Sequence, residues 1–358
     1  MDRIALLEIG GSHDECLLSQ VIALKSIEVS VILILDKKTA SRNSFLNQQA
    51  DELIIYNPPK NAVKSFLALR KLAKTLQKAG VKKLVFNTAQ GGHVRNFSLL
   101  LDKKITCYGI IHTIKKFENS FTQNIIFRRV KRFLVLSDDL LAKAKPSKGI
   151  HVESFYPLDF LPIKTTIQKP ANEVWITITG EFENRRKDVM GLFELVQQTP
   201  ENVRFILLGK AKTDDDEVRL FFQNLKDNKL TNKVVVFDHF VEESVFLDFV
   251  QQSDFLLPLI HPATKSAEEY INRQISGAFT LAYSFAVPLL IHRQYNEEKD
   301  FSISASFYEP SSFSIDLTKA IQQQQIIKSR IQSTLKWHAQ ERHEKYVRFL
   351  GLKEIKLE

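Results

Sequence analysis

The sequence predicts an α/β protein made of two successive parallel-sheet domains, and three observations carry that prediction. The 358 residues are about twice the length of a typical single domain. Short β-branched or aliphatic runs alternate with stretches of helical period, the pattern of parallel α/β sheets. A proline-bearing interruption at Phe155–Pro170, with Pro157, Pro162 and Pro170, divides that alternation into two similar runs. A composition of 44% hydrophobic and 25% charged residues fits a large globular core and excludes a disordered or fibrous chain.

The first run predicts strands at Arg3–Ile9, Val29–Leu35, Glu52–Tyr56, Lys83–Phe86, Thr106–Ile111 and Phe133–Leu136, with helices filling most gaps. The second predicts strands at Glu173–Thr179, Arg204–Leu208, Lys233–Phe237, Phe255–Pro258, Pro288–Ile291 and Ser302–Tyr308. Between them fall helical patterns near Asp188–Gln198, Glu217–Asn224, Glu243–Gln251 and Ser276–Phe285. From Ile315 to Gly351 the chain is nearly free of Gly and Pro and reads as one long or bent helix. The expected organisation is a first domain over 1–155, a linker over 156–170, a second domain over 171–315, and a helical segment over 316–358 packing back toward the first domain.

The apolar runs Val29–Leu35 and Phe255–Ile260 are far shorter than the roughly 20 residues that cross a bilayer. The first residues start a strand and lack a secretory pattern, so a cytoplasmic protein is expected. Cys16 and Cys107 stand in no disulfide or zinc spacing. Charge is divided unevenly. Residues 1–150 hold 25 Lys and Arg against 12 Asp and Glu, a net +13, whereas residues 151–358 hold 25 against 29, a net −4. Lys64, Lys71, Lys74 and Lys78 would share one helix face, with Val63, Phe66, Leu67 and Ala73 on the other; Arg128, Arg129, Lys131 and Arg132 form a second cluster. The basic half suits either a solvated helix face or peripheral contact with an anionic membrane or acceptor. No nucleic-acid motif accompanies it, and no nucleic-acid partner is expected.

Gly10-Gly11-Ser12-His13 follows the first strand, so it is either an ordinary strand–helix turn or a loop whose backbone approaches an anion. Gln90-Gly91-Gly92-His93-Val94-Arg95-Asn96 reads as a loop at the carboxyl end of a strand, the edge where open sheets bind ligands, and His112-Thr113 follows the next strand. His93 and His112 are expected to approach one another. In the second half, the loop from Gly180 to Asp188 sets Arg185, Arg186 and Lys187 beside a helix start, an arrangement suited to a diphosphate. Asn184 or Asp188 would cap that helix. Ser276-Gly277-Ala278 is a second helix start with a capping serine. Asp214-Asp215-Asp216-Glu217 is explained by helix-dipole complementarity. His338 and His343 lack zinc spacing, and no metal or other cofactor is expected.

These segments, in this order, resemble the retaining, nucleotide-sugar-dependent glycosyltransferases of GT-B fold, particularly the family 4 group. The likeness is clearest from Val174 to Ile291. There the Gly180–Lys187 loop looks like the family's phosphate loop, and Phe205–Gly209 like its strand ending in glycine. Val234–Glu243, Ser253–Pro258 and Ala286–Leu290 resemble its later strand and turn motifs. In the first half Gly10-Gly11, Ile111-His112-Thr113 and Val135-Leu136-Ser137 look like its early glycine loop, strand-end histidine and strand ending in serine. The resemblance implies two Rossmann-like domains facing across a cleft.

It also implies transfer of a hexose from a nucleotide diphosphate sugar to a glycan or lipid-linked acceptor, in cell-surface polysaccharide or glycolipid synthesis. His112 would be catalytic, near the sugar. Gly10, Gly11, Arg185, Arg186, Lys187, Ser276 and Gly277 would hold the donor diphosphate, and His13, His93 and Arg95 the acceptor. The sequence departs from the family where two glutamates usually hold sugar and ribose: those positions are Arg273 and Leu281. Glu268 and Glu269 lie upstream and are the candidate replacements. The departure keeps two alternatives open: a non-catalytic binding or partner protein of the same architecture, and a nucleotide-sugar epimerase.

Overall fold

The computed structural model describes residues 3–9, 13–118, 120–163, 165–237, 239 and 241–352. It divides into two compact units, one of Met1–Phe160 with His338–Glu358 and one of Leu161–Trp337.

The first unit is a seven-stranded parallel sheet: β1 (Arg3–Glu8), β2 (Ser30–Leu35), β3 (Glu52–Ile55), β4 (Lys83–Phe86), β5 (Thr106–Ile111), β6 (Arg132–Val135) and β7 (His151–Ser154). Its order is β3-β2-β1-β4-β5-β6-β7, so the chain reverses direction across the sheet between β1 and β4. Ile4–Leu6 and Val31–Leu35 are fully buried, as expected of strands covered on both faces. Ala62–Lys78, Gly91–Leu100 and Phe121–Arg129 pack side by side, while Leu17–Lys25 packs against Ala339–Phe349.

That last helix is tied into the first unit by charge and hydrogen bonding. Arg342, buried, grips Asp159 through Nη1 at 2.6 Å and Nη2 at 3.2 Å, and His343 Nε2 lies 3.1 Å from the same carboxylate. The Tyr346 hydroxyl donates to Gln20 Oε1 at 2.9 Å, and the Tyr108 hydroxyl and Lys83 ammonium both donate to the Leu350 carbonyl.

The second unit is a six-stranded parallel sheet: β8 (Val174–Thr179), β9 (Val203–Leu208), β10 (Val234–Val236), β11 (Phe255–Leu256), β12 (Leu289–His292) and β13 (Ala305–Tyr308), ordered β10-β9-β8-β11-β12-β13. It repeats the winding of the first, with its reversal between β8 and β11. Ile176, Ile178, Leu192, Phe205, Phe221, Phe255 and Phe313 form its core. The Asp248 carboxylate accepts from the Thr166 and Ile167 amides at 2.7 and 2.9 Å and pins the segment leading into β8.

Several elements differ from the sequence reading. β7 is an added strand, short and mostly polar, which the pattern of alternation does not reveal. Of Ser302–Tyr308 only Ala305–Tyr308 is strand, because Lys299–Ser304 is helical. The segment Ile315–Gly351 is two helices, Phe313–Ser333 and Ala339–Phe349, separated by a 3₁₀ turn at Leu335–Trp337. Trp337 stacks on Tyr283 at 4.3 Å and Lys336 pairs with Asp300, docking that turn on the second unit. The stretch 316–358 is therefore shared between the units, with the helix Ala339–Phe349 in the first. The loop expected at Gln90–Asn96 is the opening of the helix Gly91–Leu100. On Ala62–Lys78 the buried stripe is Ser65, Leu69, Leu72, Ala73 and Leu76. At 100° per residue Val63, Phe66 and Leu67 fall outside that stripe, and all three are exposed.

Candidate functional site

Both reversals bring loops together at the carboxyl edge of their sheet, where an open parallel sheet holds its ligands. In the second unit the loops after β8 and β11 meet. Thr179, Gly180, Glu181, Arg186, Lys187, Pro258, Ile260, Tyr270, Ser276, Gly277 and Leu281 contribute to a solvent-open concavity of about 210 Å³. Gly180 has φ +81°, a left-handed conformation open to glycine at little cost. Gly209, beyond β9, is needed for space: a Cβ there would lie 2.3 Å from the Gly180 carbonyl oxygen.

Lys187 is the most unusual group of this wall. Its side chain is buried and its ammonium donates to the Thr179 carbonyl at 2.9 Å. Burial, reinforced by the Arg186 guanidinium and opposed by Glu183, lowers its pKa from 10.5 to about 8. Arg186 also lines the concavity. Arg185 does not, and it pairs with Glu183 at 3.0 Å. Glu183 is buried beneath both arginines and Lys212, with Arg186 Nε at 2.8 Å. Burial alone would raise this carboxyl, but the three cations hold it below the usual carboxylate range. Positive charge here is thus partly neutralised from below, whereas the hydrogen-bond partner of the Lys187 ammonium is a carbonyl and not a carboxylate.

Ser276 caps the helix Gly277–Phe285, its Oγ accepting from the Ala278 amide at 3.4 Å. Helix N-termini present free amides and the positive end of the dipole to an anion. Leu281, Ile260, Phe246 and Pro258 supply an apolar wall, and Tyr270 an aromatic ring. The lining carboxylate is Glu181. Glu268 bonds Asn272 at 2.8 Å and lies 3.6 Å from Arg273, and neither Glu268 nor Glu269 lines the concavity.

The Lys187 loop is fixed from behind. Asp188 caps the helix Val189–Gln197 by accepting from the Gly191 amide at 2.8 Å, and its own amide donates to the Leu259 carbonyl. Its other oxygen accepts from His261 Nδ1 at 2.6 Å, and the Tyr308 hydroxyl donates to His261 Nε2 at 2.6 Å. The His261 bond, above all, holds Asp188 below its ordinary pKa, while burial pushes Tyr308 well up. The sequence reading found neither His261 nor Tyr270; a histidine one residue ahead of Pro262, at the end of the apolar Phe255–Ile260 run, was the available signal for the first.

In the first unit the loops after β1, β4 and β5 meet. Gly10 and Gly11 lie outside the described residues. His13 stacks on His112, ring centroids 3.7 Å apart and 10° from parallel. His112 is buried and donates Nε2–H to the Asn87 carbonyl at 2.7 Å, which makes the buried Nδ1 an acceptor that meets no partner. Burial, with the neighbouring His13 adding to it, lowers its pKa to about 3. Glu8, fully buried, accepts from Asn87 Nδ2 and Thr88 Oγ1, both at 2.7 Å, and burial raises its carboxyl. Glu8 Oε1, Gln90 Oε1 and Thr113 Oγ1 are buried without partners as well, so four such atoms gather at this edge.

The ring against His112 belongs to His13. His93 is exposed on the helix Gly91–Leu100, and Arg95 on the same helix bonds Asn96 at 2.9 Å. His13, Glu15 and His112 bring ligand atoms within 4.8 Å of one another. The two imidazoles are parallel, however, so their in-plane lone pairs cannot meet at one ion.

No family model matches the chain, and no curated protein matches its sequence. Solved structures do match its fold. HepE of Anabaena, in complex with UDP-glucose, superposes with a TM-score of 0.68 at 14% identity, over 98% of this chain and 100% of that one. A glycosyltransferase from Rickettsia africae gives 0.67 at 12%, over 98% of both chains. A protein designated a UDP-N-acetylglucosamine 2-epimerase from Listeria monocytogenes gives 0.60 at 10%, over 99% of both. The chain therefore has the GT-B fold, two Rossmann-like units with parallel sheets. That architecture accommodates more than one chemistry.

Proposed function

We propose that the protein is a glycosyltransferase, of the family 4 kind that its motifs resemble, moving a hexose from a nucleotide diphosphate sugar to a glycan or lipid-linked acceptor at an anionic membrane. The observation that carries this reading is the buried Lys187 in the wall of an open concavity, beside Arg186 and the capped start of Gly277–Phe285. A lysine held at a pKa of about 8 by burial is costly to fold around, and an arriving diphosphate would relieve that cost. Lys187, Arg186 and the amide of Gly277 would hold the diphosphate and stabilise the charge it gains on leaving. Tyr270 and the apolar wall would receive the base.

On the acceptor side the reading rests on His13 and the unpartnered atoms of Glu8, Gln90, His112 and Thr113, a set of acceptors and hydroxyls suited to sugar hydroxyl groups. His112 would position rather than transfer protons, because its Nε2–H is spent on Asn87. Surface polysaccharide or glycolipid synthesis is the pathway that such an acceptor suggests.

A second reading, a non-catalytic nucleotide or glycan binder, is favoured by Leu281, an apolar residue of the concavity where the resembled enzymes carry a glutamate. Calorimetry with UDP, GDP and common nucleotide sugars tests both. Lys187→Ala should weaken binding by about 1–3 kcal/mol, the scale of a lost hydrogen bond to a charged group. Binding lost in that variant, together with acceptor-dependent consumption of the donor, supports the transferase. Binding without consumption supports the nucleotide binder, and no binding by any of these ligands sinks the transferase and moves the preference to a non-catalytic glycan binder.

A further inference from the structure

We propose that the outer face of the helix Ala62–Lys78 docks the protein on an anionic lipid bilayer, with Val63, Phe66 and Leu67 entering the boundary between headgroups and acyl chains. The helix spends its apolar stripe of Leu69, Leu72, Ala73 and Leu76 on its own unit. Three large apolar side chains are then left over: Val63, Phe66 and Leu67 are 67%, 47% and 56% exposed. Their spacing of three and one places them on adjacent turns, so they form one patch. Grouped exposure of this kind marks an interaction site, whereas scattered apolar residues do not.

What surrounds the patch selects the partner. Lys64, Arg70, Lys71, Lys74 and Lys78 all lie on the exposed side, and the helix has no acidic residue. The surface continues onto the next helix, because Gln77 Nε2 donates to Asp102 Oδ2 at 2.7 Å and brings the end of Gly91–Leu100 alongside. That end adds Leu99, Lys103 and Lys104, all exposed. Its acid, Asp102, is already bonded by Gln77 and by the Lys104 amide at 2.8 Å.

A nucleic acid would use the cations and leave the apolar triad in water. An amphipathic helix with apolar residues flanked by lysines is the form that lies in the plane of a membrane surface and gains from both. The docking adds a surface to the reading of an acceptor at a membrane, and it rests on that reading only for what the docked protein does there.

The test is co-sedimentation of the full chain with vesicles of phosphatidylcholine alone and of phosphatidylcholine with phosphatidylglycerol, at low and physiological salt. Binding is expected to the anionic vesicles, weakened by salt. Combined Val63→Ser, Phe66→Ser and Leu67→Ser should reduce it by about tenfold or more with every cation in place. Lys71→Glu, Lys74→Glu and Lys78→Glu together should do the same with the apolar triad in place. All six side chains are exposed, so melting temperature and UDP binding should match the unsubstituted protein. Failure of docking is thereby separable from failure of the donor reading. Equal binding to neutral vesicles, unchanged binding by either triple variant, or retention on an oligonucleotide without vesicle binding would each overturn the proposal.

Discussion

Lys187 donates from its buried ammonium to the carbonyl oxygen of Thr179, 2.9 Å away and at the end of the strand β8. With its pKa lowered to about 8 by burial, the lysine is mostly charged at neutral pH and loses its proton just above it. A diphosphate that contacts the ammonium stabilises the charged form and raises that pKa. Affinity for UDP should then be at its full value below pH 8 and fall as pH rises above it, by up to tenfold per unit. The nucleotide's phosphates, with a second pKa of about 6, do not titrate in that window. Calorimetry at pH 7.5 and 9.5 reads the difference, and buffers of different ionisation enthalpy should reveal proton uptake near pH 8. An affinity that is flat with pH would show that Lys187 does not touch the ligand.

The same lysine should cost the folded protein stability. Its folded pKa lies below its ordinary value of 10.5, so the unfolded chain binds more protons between about pH 8 and 10.5, and stability rises with pH across that window. The shift corresponds to roughly 3 kcal/mol of disfavoured charge at neutral pH. Lys187→Met removes this cost and leaves the Thr179 carbonyl unbonded, a loss of about 1–2 kcal/mol. A net gain of about 1–2 kcal/mol in urea unfolding is expected, with nucleotide binding weakened by about 1–3 kcal/mol. A variant that is both less stable and unchanged in nucleotide affinity would contradict the assignment.

Every strand except β7 was legible, because each is a short β-branched or aliphatic run closed by polar or glycine residues, and their alternation with helical stretches is what a parallel sheet requires. The position of Lys187 in a loop just ahead of a capped helix was legible too, from Gly180 at the end of a strand and Asp188 at the helix start. Other features depended on contacts across the sequence. The pairing of Asp159 with Arg342 joins residues 183 positions apart, and no local pattern announces it. His261 stands on the loop that leaves β11, where Leu259 has φ +57°, a conformation that an apolar residue does not advertise, and Tyr270 stands on the short helix Ala267–Asn272. The sequence reading sets Val63, Phe66 and Leu67 with Ala73 opposite the lysines, whereas the phase of Leu69, Leu72 and Leu76 buries Ala73 and leaves the other three exposed.

Arg342 and Asp159 make a prediction about acid and about the last helix. Burial alone would raise the Asp159 carboxyl, but His343 and Arg342 hold it well below its ordinary 3.8. Its stabilising contribution is therefore fully present above pH 3.8 and is lost as pH falls toward the folded value. Asp159→Asn leaves the Arg342 guanidinium buried without its counter-charge, which should cost about 3–5 kcal/mol at neutral pH. The double variant Asp159→Asn, Arg342→Met should recover much of that loss. A single-variant cost below about 1 kcal/mol would mean that the guanidinium finds water when the carboxylate is removed.

His13 and His112 stack, yet they should titrate in opposite directions. Desolvation lowers the His112 pKa to about 3, with His13 beside it acting in the same sense. For His13 desolvation also lowers it, but the Glu15 hydrogen bond and the charges of Glu15, Glu8 and Asp14 outweigh that and raise it above 6.5. In a proton-detected NMR titration His112 should show no protonation down to about pH 4, whereas His13 should protonate above 6.5, and Glu15→Gln should bring it down. The stability signs differ as well. His13 contributes below pH 6.5 and its contribution fades as pH rises through its folded value. His112 opposes folding increasingly as pH falls from 6.5 toward about 3, because the unfolded chain takes up a proton that the folded chain refuses. Any pH-dependent limb of transfer between pH 5 and 8 that arises in the first unit should accordingly follow His13, disappear in His13→Gln, and shift in Glu15→Gln. A limb that survives His13→Gln and vanishes in His112→Gln would reverse the two roles and require that substrate restore the basicity of His112.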